Sequence, residues 1–61
     1  MPRRLFVRHL RAHGCVRLRE GGRHSIYYNP LTGQTAPVPR HRDIARLLVR
    51  QICRELGIPE P

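Results

Sequence analysis

Sixty-one residues suffice for one domain with a small core, since a chain of this length buries only about 60% of its unfolded surface. That excludes a deep small-molecule pocket and leaves any active site shallow and open to a large partner. Twelve arginines and no lysines stand against four acidic residues, for a formal net charge of +8. Such a field draws polyanions, and the guanidinium grips phosphate with a planar fork that an ammonium lacks. Nucleic acid or an acidic protein is the expected partner class.

In chain order, residues 3–13 (RRLFVRHLRAH) are predicted to form a first helix. Leu5, Phe6, His9, Leu10 and His13 share one arc at helical spacing, with Arg4, Arg8 and Arg11 opposite. Gly14 is placed to cap it. Residues 15–20 alternate as a half-buried strand does, Val16 and Leu18 on one side and Arg17 and Arg19 on the other. Gly21-Gly22 reads as a tight turn requiring positive φ. Residues 24–29, rich in β-formers at Ile26-Tyr27-Tyr28, give a second strand. A turn at Asn29–Gly33 leads to a third strand at 34–38, whose Pro37 lacks an amide donor and so belongs on an edge or at a bulge.

A second helix is predicted over 43–56, closed by Gly57. Ile44, Ala45, Leu48, Val49, Ile52 and Leu56 form its apolar arc, and Leu47 interrupts the polar side. Arg46, Arg50 and Arg54 line up at i, i+4, i+8 on the opposite face. Short connections make the strands an antiparallel meander with both helices on one face. This is an α+β domain over residues 1–61, in the order α-β-β-β-α, and it resembles the double-stranded-RNA-binding fold. The other sheet face is then free for binding.

Cys15 and Cys53 lack metal-site spacing, and no apolar run approaches the ~18 residues of a membrane span. No stretch has signal-peptide character. The expectation is a cytoplasmic protein, away from membranes, with two free thiols serving as small core hydrophobes. His9 and His13 lie one helical turn apart without a third ligand nearby, so packing at the edge of the core is their expected role. No cofactor or metal is expected.

His24 stands just beyond the Gly-Gly turn. Read from the residues alone, two roles stand side by side: an exposed residue next to a turn, or a proton-transfer group for RNA. The second draws on a basic chain, on glycines that permit close backbone approach, and on Tyr27 and Tyr28 as stacking surfaces. An imidazole titrates near neutrality. RNA brings its own nucleophile, the 2′-hydroxyl, so a histidine with arginines at the phosphate would suffice. Ser25 cannot complete a triad with His24, because neighbouring strand residues face opposite ways.

The stretch GCVRLREGGRHSIYYNPLTGQTAPVPRHRDIARLLVRQICRELGI resembles the HicA family of bacterial toxins. The features that carry the likeness are the glycine closing the first helix, Arg19 on the first strand, and Gly22-x-His24 followed by tyrosine. With them come the Asn-Pro turn, Val38-Pro39-x-His41, and a helix running through Ile52 to Gly57-Ile58. The resemblance covers about Leu5 to Ile58. It implies an endoribonuclease that cleaves mRNA without a metal, with His24 as the catalytic histidine, and neutralisation by a cognate HicB antitoxin. Arg17, Arg19, Arg23, Tyr27 and Tyr28 are then the expected RNA-binding residues. His41 either braces the entry to the second helix or assists proton transfer. Arg46, Arg50 and Arg54 either dock an acidic antitoxin or form a solvated face. Arg23 departs from the family pattern, where serine is common. The alternative is an RNA-binding module of the same fold that does not cut.

Overall fold

The computed structural model describes residues 1–61. Helix α1 spans Arg3–Ala12, strands β1, β2 and β3 span Val16–Glu20, His24–Asn29 and Gln34–Pro39, and helix α2 spans Arg46–Leu56. The strands form one antiparallel sheet in the order β1-β2-β3. Phe6 and Leu10 of α1 meet Val49, Ile52, Cys53 and Leu56 of α2 over Tyr27, Ala36 and Val38 in a single core. Both helices therefore lie on one sheet face, and the predicted α+β architecture is the observed one.

Each helix ends with the same backbone device. Past α1, Gly14 N–H donates to Arg11 O (3.0 Å) and Cys15 N–H to Leu10 O (2.9 Å); past α2, Gly57 N–H donates to Arg54 O (3.2 Å) and Ile58 N–H to Cys53 O (2.9 Å). This is the Schellman pattern, whose left-handed residue is Gly14 in one case (φ 83°) and Gly57 in the other (φ 73°). Asn29 fastens the second ending to the sheet. Its buried Nδ2 donates to Leu56 O (2.8 Å), while its Oδ1 accepts from Leu31 N–H (3.0 Å) and so shapes the β2–β3 turn.

Three expectations are corrected. Helix α2 starts at Arg46, three residues later than predicted, because the chain before it is extended and bonded to the N-terminal segment. Arg3 N–H donates to Arg42 O (2.7 Å), Ile44 N–H to Met1 O (2.8 Å), and the Met1 amine to Ile44 O (3.0 Å). Ile44 remains a core residue, but Ala45 is exposed. Second, β1 is not half-buried. All five of its residues are exposed, Val16 and Leu18 included, because the helices cover β2 and β3 only. Third, neither glycine of the Gly21-Gly22 turn has positive φ. The turn is made by close approach instead: Gly21 N–H donates to His24 O at 2.8 Å, and a Cβ at Gly21 would stand 2.8 Å from that same oxygen.

Strand β3 is an edge, as Pro37 requires. Arg40 N–H donates to Arg23 O (3.3 Å), which fixes the phase of the β2–β3 ladder. Hydrogen-bonded pairs alternate along an antiparallel ladder. Ser25–Val38 and Tyr27–Ala36 therefore exchange bonds, while Pro37 and Pro39 fall at positions whose backbone nitrogens face away from β2. The prolines remove donors that no strand was using.

Candidate active site

The pleat of β2 sorts its side chains cleanly. Ser25, Tyr27 and Asn29 are buried under the helices, whereas His24, Ile26 and Tyr28 lie on the uncovered face. Directly paired residues share a face, so Arg19, opposite Ile26, joins His24 and Tyr28. Arg17 does not. A bulge between Arg17 and Arg19 leaves Leu18 unpaired and breaks the alternation, so Arg17 pairs with Tyr27 on the helix side. The uncovered face thus carries His24, Tyr28 and Arg19, with exposed Arg23 at the turn beside them. Tyr27, expected to stack a base, is instead 2% exposed inside the core.

At its open end the face runs into a cavity of about 440 Å³, lined by His24, Pro37, Pro39, His41, Asp43, Ile44, Ala45 and Leu48. It follows the free edge of β3 round to the start of α2. The other two histidines are elsewhere. His9 and His13 lie against each other on α1, ring centroids 4.6 Å apart, and His9 Nε2–H donates to Pro59 O at 2.7 Å. No group of three or more His, Cys, Asp or Glu side chains converges anywhere in the chain.

Behind the hairpin tip is a polar network that the sequence reading did not single out. The buried Ser25 hydroxyl donates to Glu20 Oε1 (2.6 Å) and accepts from Arg3 Nη2 (3.2 Å). Arg3 Nε also donates to Pro39 O (2.9 Å). Glu20 Oε2 takes Arg40 at 3.0 Å and Arg17 at 3.3 Å. The Ser25 hydrogen bond is the main reason the Glu20 carboxyl sits below the usual carboxylate range; desolvation opposes it, and Arg40 and Arg17 reinforce it. The network ties α1, both strands of the first hairpin and the end of β3 to one carboxylate. One signal for it existed: Glu20 is the only acidic residue before Asp43, set among arginines.

Arg46, Arg50 and Arg54 are exposed along α2 as expected, beside Leu47, which is 76% exposed. Arg50 is engaged within the chain, its Nε 3.4 Å from Glu60 Oε2. Both cysteines are free and buried, and burial pushes both thiols up from their ordinary value. No helix is long and apolar enough to cross a membrane.

The family model described as HicA toxin of bacterial toxin–antitoxin matches residues 3–58. Neither the curated proteins nor the solved structures yield a match. The matched span takes in both helices, all three strands and the His24 face. The chain belongs to the HicA toxin family.

Proposed function

We propose that the protein is an endoribonuclease toxin that cleaves mRNA without a metal, and that His24 is its catalytic histidine. One observation carries this reading: His24 stands exposed at the open end of the uncovered sheet face, in line with Tyr28 and Arg19 and next to Arg23, in a chain of the HicA family. A single RNA strand laid on this face meets an aromatic ring for a base and guanidiniums for its phosphates. His24 takes the proton from a 2′-hydroxyl, the 2′-oxygen attacks the adjacent phosphorus, and Arg19 and Arg23 bear the charge that builds on the phosphoryl oxygens. The substrate places this activity in the cytoplasm. A HicB-type antitoxin is the partner, and the exposed Arg46, Arg50 and Arg54 offer it a basic surface on α2, away from the sheet face.

The test is His24→Ala. The purified variant should keep its circular dichroism and melting temperature and lose RNA cleavage by about 10²–10⁴-fold, the usual cost of one missing acid/base group. Cleavage at the wild-type rate would remove His24 from the mechanism. Arg23, in the place where the family commonly has serine, favours one other reading: a module that holds RNA without cutting it. Labelled RNA incubated with the wild-type protein in EDTA, then retained but intact, would establish that instead.

A further inference from the structure

We propose that His41 is the general acid of the same reaction, protonating the 5′-oxygen as it leaves. The proposal rests on the reading of His24 as a ribonuclease base. The other role open to His41, bracing the entry to α2, involves no capping hydrogen bond. The helix begins at Arg46 with Ala45 as its N-cap, and no side chain caps it. His41 lies before the Arg42–Ile44 segment that bonds to the N-terminus, and it is exposed.

What the fold does with His41 is bring it to His24. Pro39 is the direct partner of His24 across the ladder, and the pairing continues through the Arg40–Arg23 hydrogen bond. His41 comes two residues past Pro39, just beyond the end of β3. Both imidazoles line the same cavity of about 440 Å³. Two imidazoles lining one cavity can flank one phosphodiester, one at the attacking oxygen and one at the leaving oxygen. The remaining titratable group of the cavity, Asp43, lies 3.8 Å from the Met1 amine.

The step balances without a co-reactant. Neutral His24 accepts the 2′-hydroxyl proton, the 2′-oxygen–phosphorus bond forms, and the phosphorus–5′-oxygen bond breaks. Protonated His41 gives its proton to the departing 5′-oxygen. The products are a 2′,3′-cyclic phosphate and a free 5′-hydroxyl. Exchange with solvent then restores the proton to His41 and removes it from His24.

An oligoribonucleotide with sulfur in place of the bridging 5′-oxygen at one linkage separates the roles, because a thiolate leaves without protonation. His41→Ala should cut the ordinary linkage about 10²–10⁴-fold more slowly than wild type and the sulfur-bridged linkage at close to the wild-type rate. His24→Ala should be slow on both. A His41→Ala variant equally slow on both linkages overturns the proposal in favour of a structural role, and so does one with undiminished cleavage. His41→Gln, run in parallel, keeps the bulk and hydrogen bonding of the site. It should show the same rescue, and its absence counts against the proposal even if the alanine variant does not fold. If wild-type protein leaves both linkages intact, the ribonuclease reading fails and this one with it. Loss in His24→Ala without loss in His41→Ala removes the general acid alone.

Discussion

A Cβ at Gly21 would stand 2.8 Å from the His24 carbonyl oxygen, whereas one at Gly22 would meet nothing within 4 Å. Gly21→Ala should therefore push the backbone of His24 out of place. The expected cost is about 1–3 kcal/mol in urea denaturation, with a matching loss of cleavage. Gly22→Ala should change neither. A sequence reader sees two equivalent glycines, because a turn that needs positive φ and a turn that needs close approach look alike in one dimension. Glu20 is the second single-residue case. Its folded carboxyl is held below its unfolded value, so its contribution to stability is present above about pH 4.3 and is lost as pH falls through the folded value. Thermal melts from about pH 6 to about pH 3 should show Glu20→Gln losing less stability on acidification than wild type.

Between elements, the clearest join is Asn29, which reaches from the end of β2 to the last carbonyl of α2. Asn29→Ala would leave Leu56 O with only Thr32 Oγ1, at 3.2 Å, and should cost about 1–3 kcal/mol of stability, read as a lower urea midpoint. The elements themselves were largely legible: the 3.6-residue arcs of Phe6–Leu10 and Val49–Leu56 and the alternation of β2 each leave a period in the chain. The late start of α2 was not legible, because it depends on Met1–Arg3 pairing with Arg42–Ile44, some forty residues distant. The faces of β1 were not legible either. Simple alternation put Arg17 and Arg19 together, and one unpaired residue at Leu18 sent them to opposite sides. RNA binding reports that separation. Arg19→Ala should weaken binding and reduce the salt slope by about 0.7, the value for one phosphate on a single strand, while Arg17→Ala, its partner being Glu20, should leave the slope unchanged.

Over the whole molecule, charge and layering act together. Both helices pack on one side, so the chain spends its small core on a single sheet face and leaves the other bare. Part of the arginine excess meets that bare face, with Arg19 on β1 and Arg23 at the turn, whereas Arg40 turns to Glu20 on the helix side. The candidate site was legible at its centre, since His24 follows from the turn, the charge and the family likeness. Its extent was not. Tyr27 and Tyr28 are indistinguishable until the pleat assigns one to the core, and His41 meets His24 only in a cavity between the end of β3 and the start of α2, which no local pattern encodes.

The prolines of β3 have a further consequence for how copies of the chain meet. With Pro37 and Pro39 facing outward, that border offers almost no amide donors to an incoming strand, while β1 keeps its backbone groups. Head-to-tail stacking of sheets needs two receptive borders, and here there is one. Strand pairing between copies can therefore join two molecules back to back through β1 and then has nowhere to continue, so crowded chains are protected from growing into fibres.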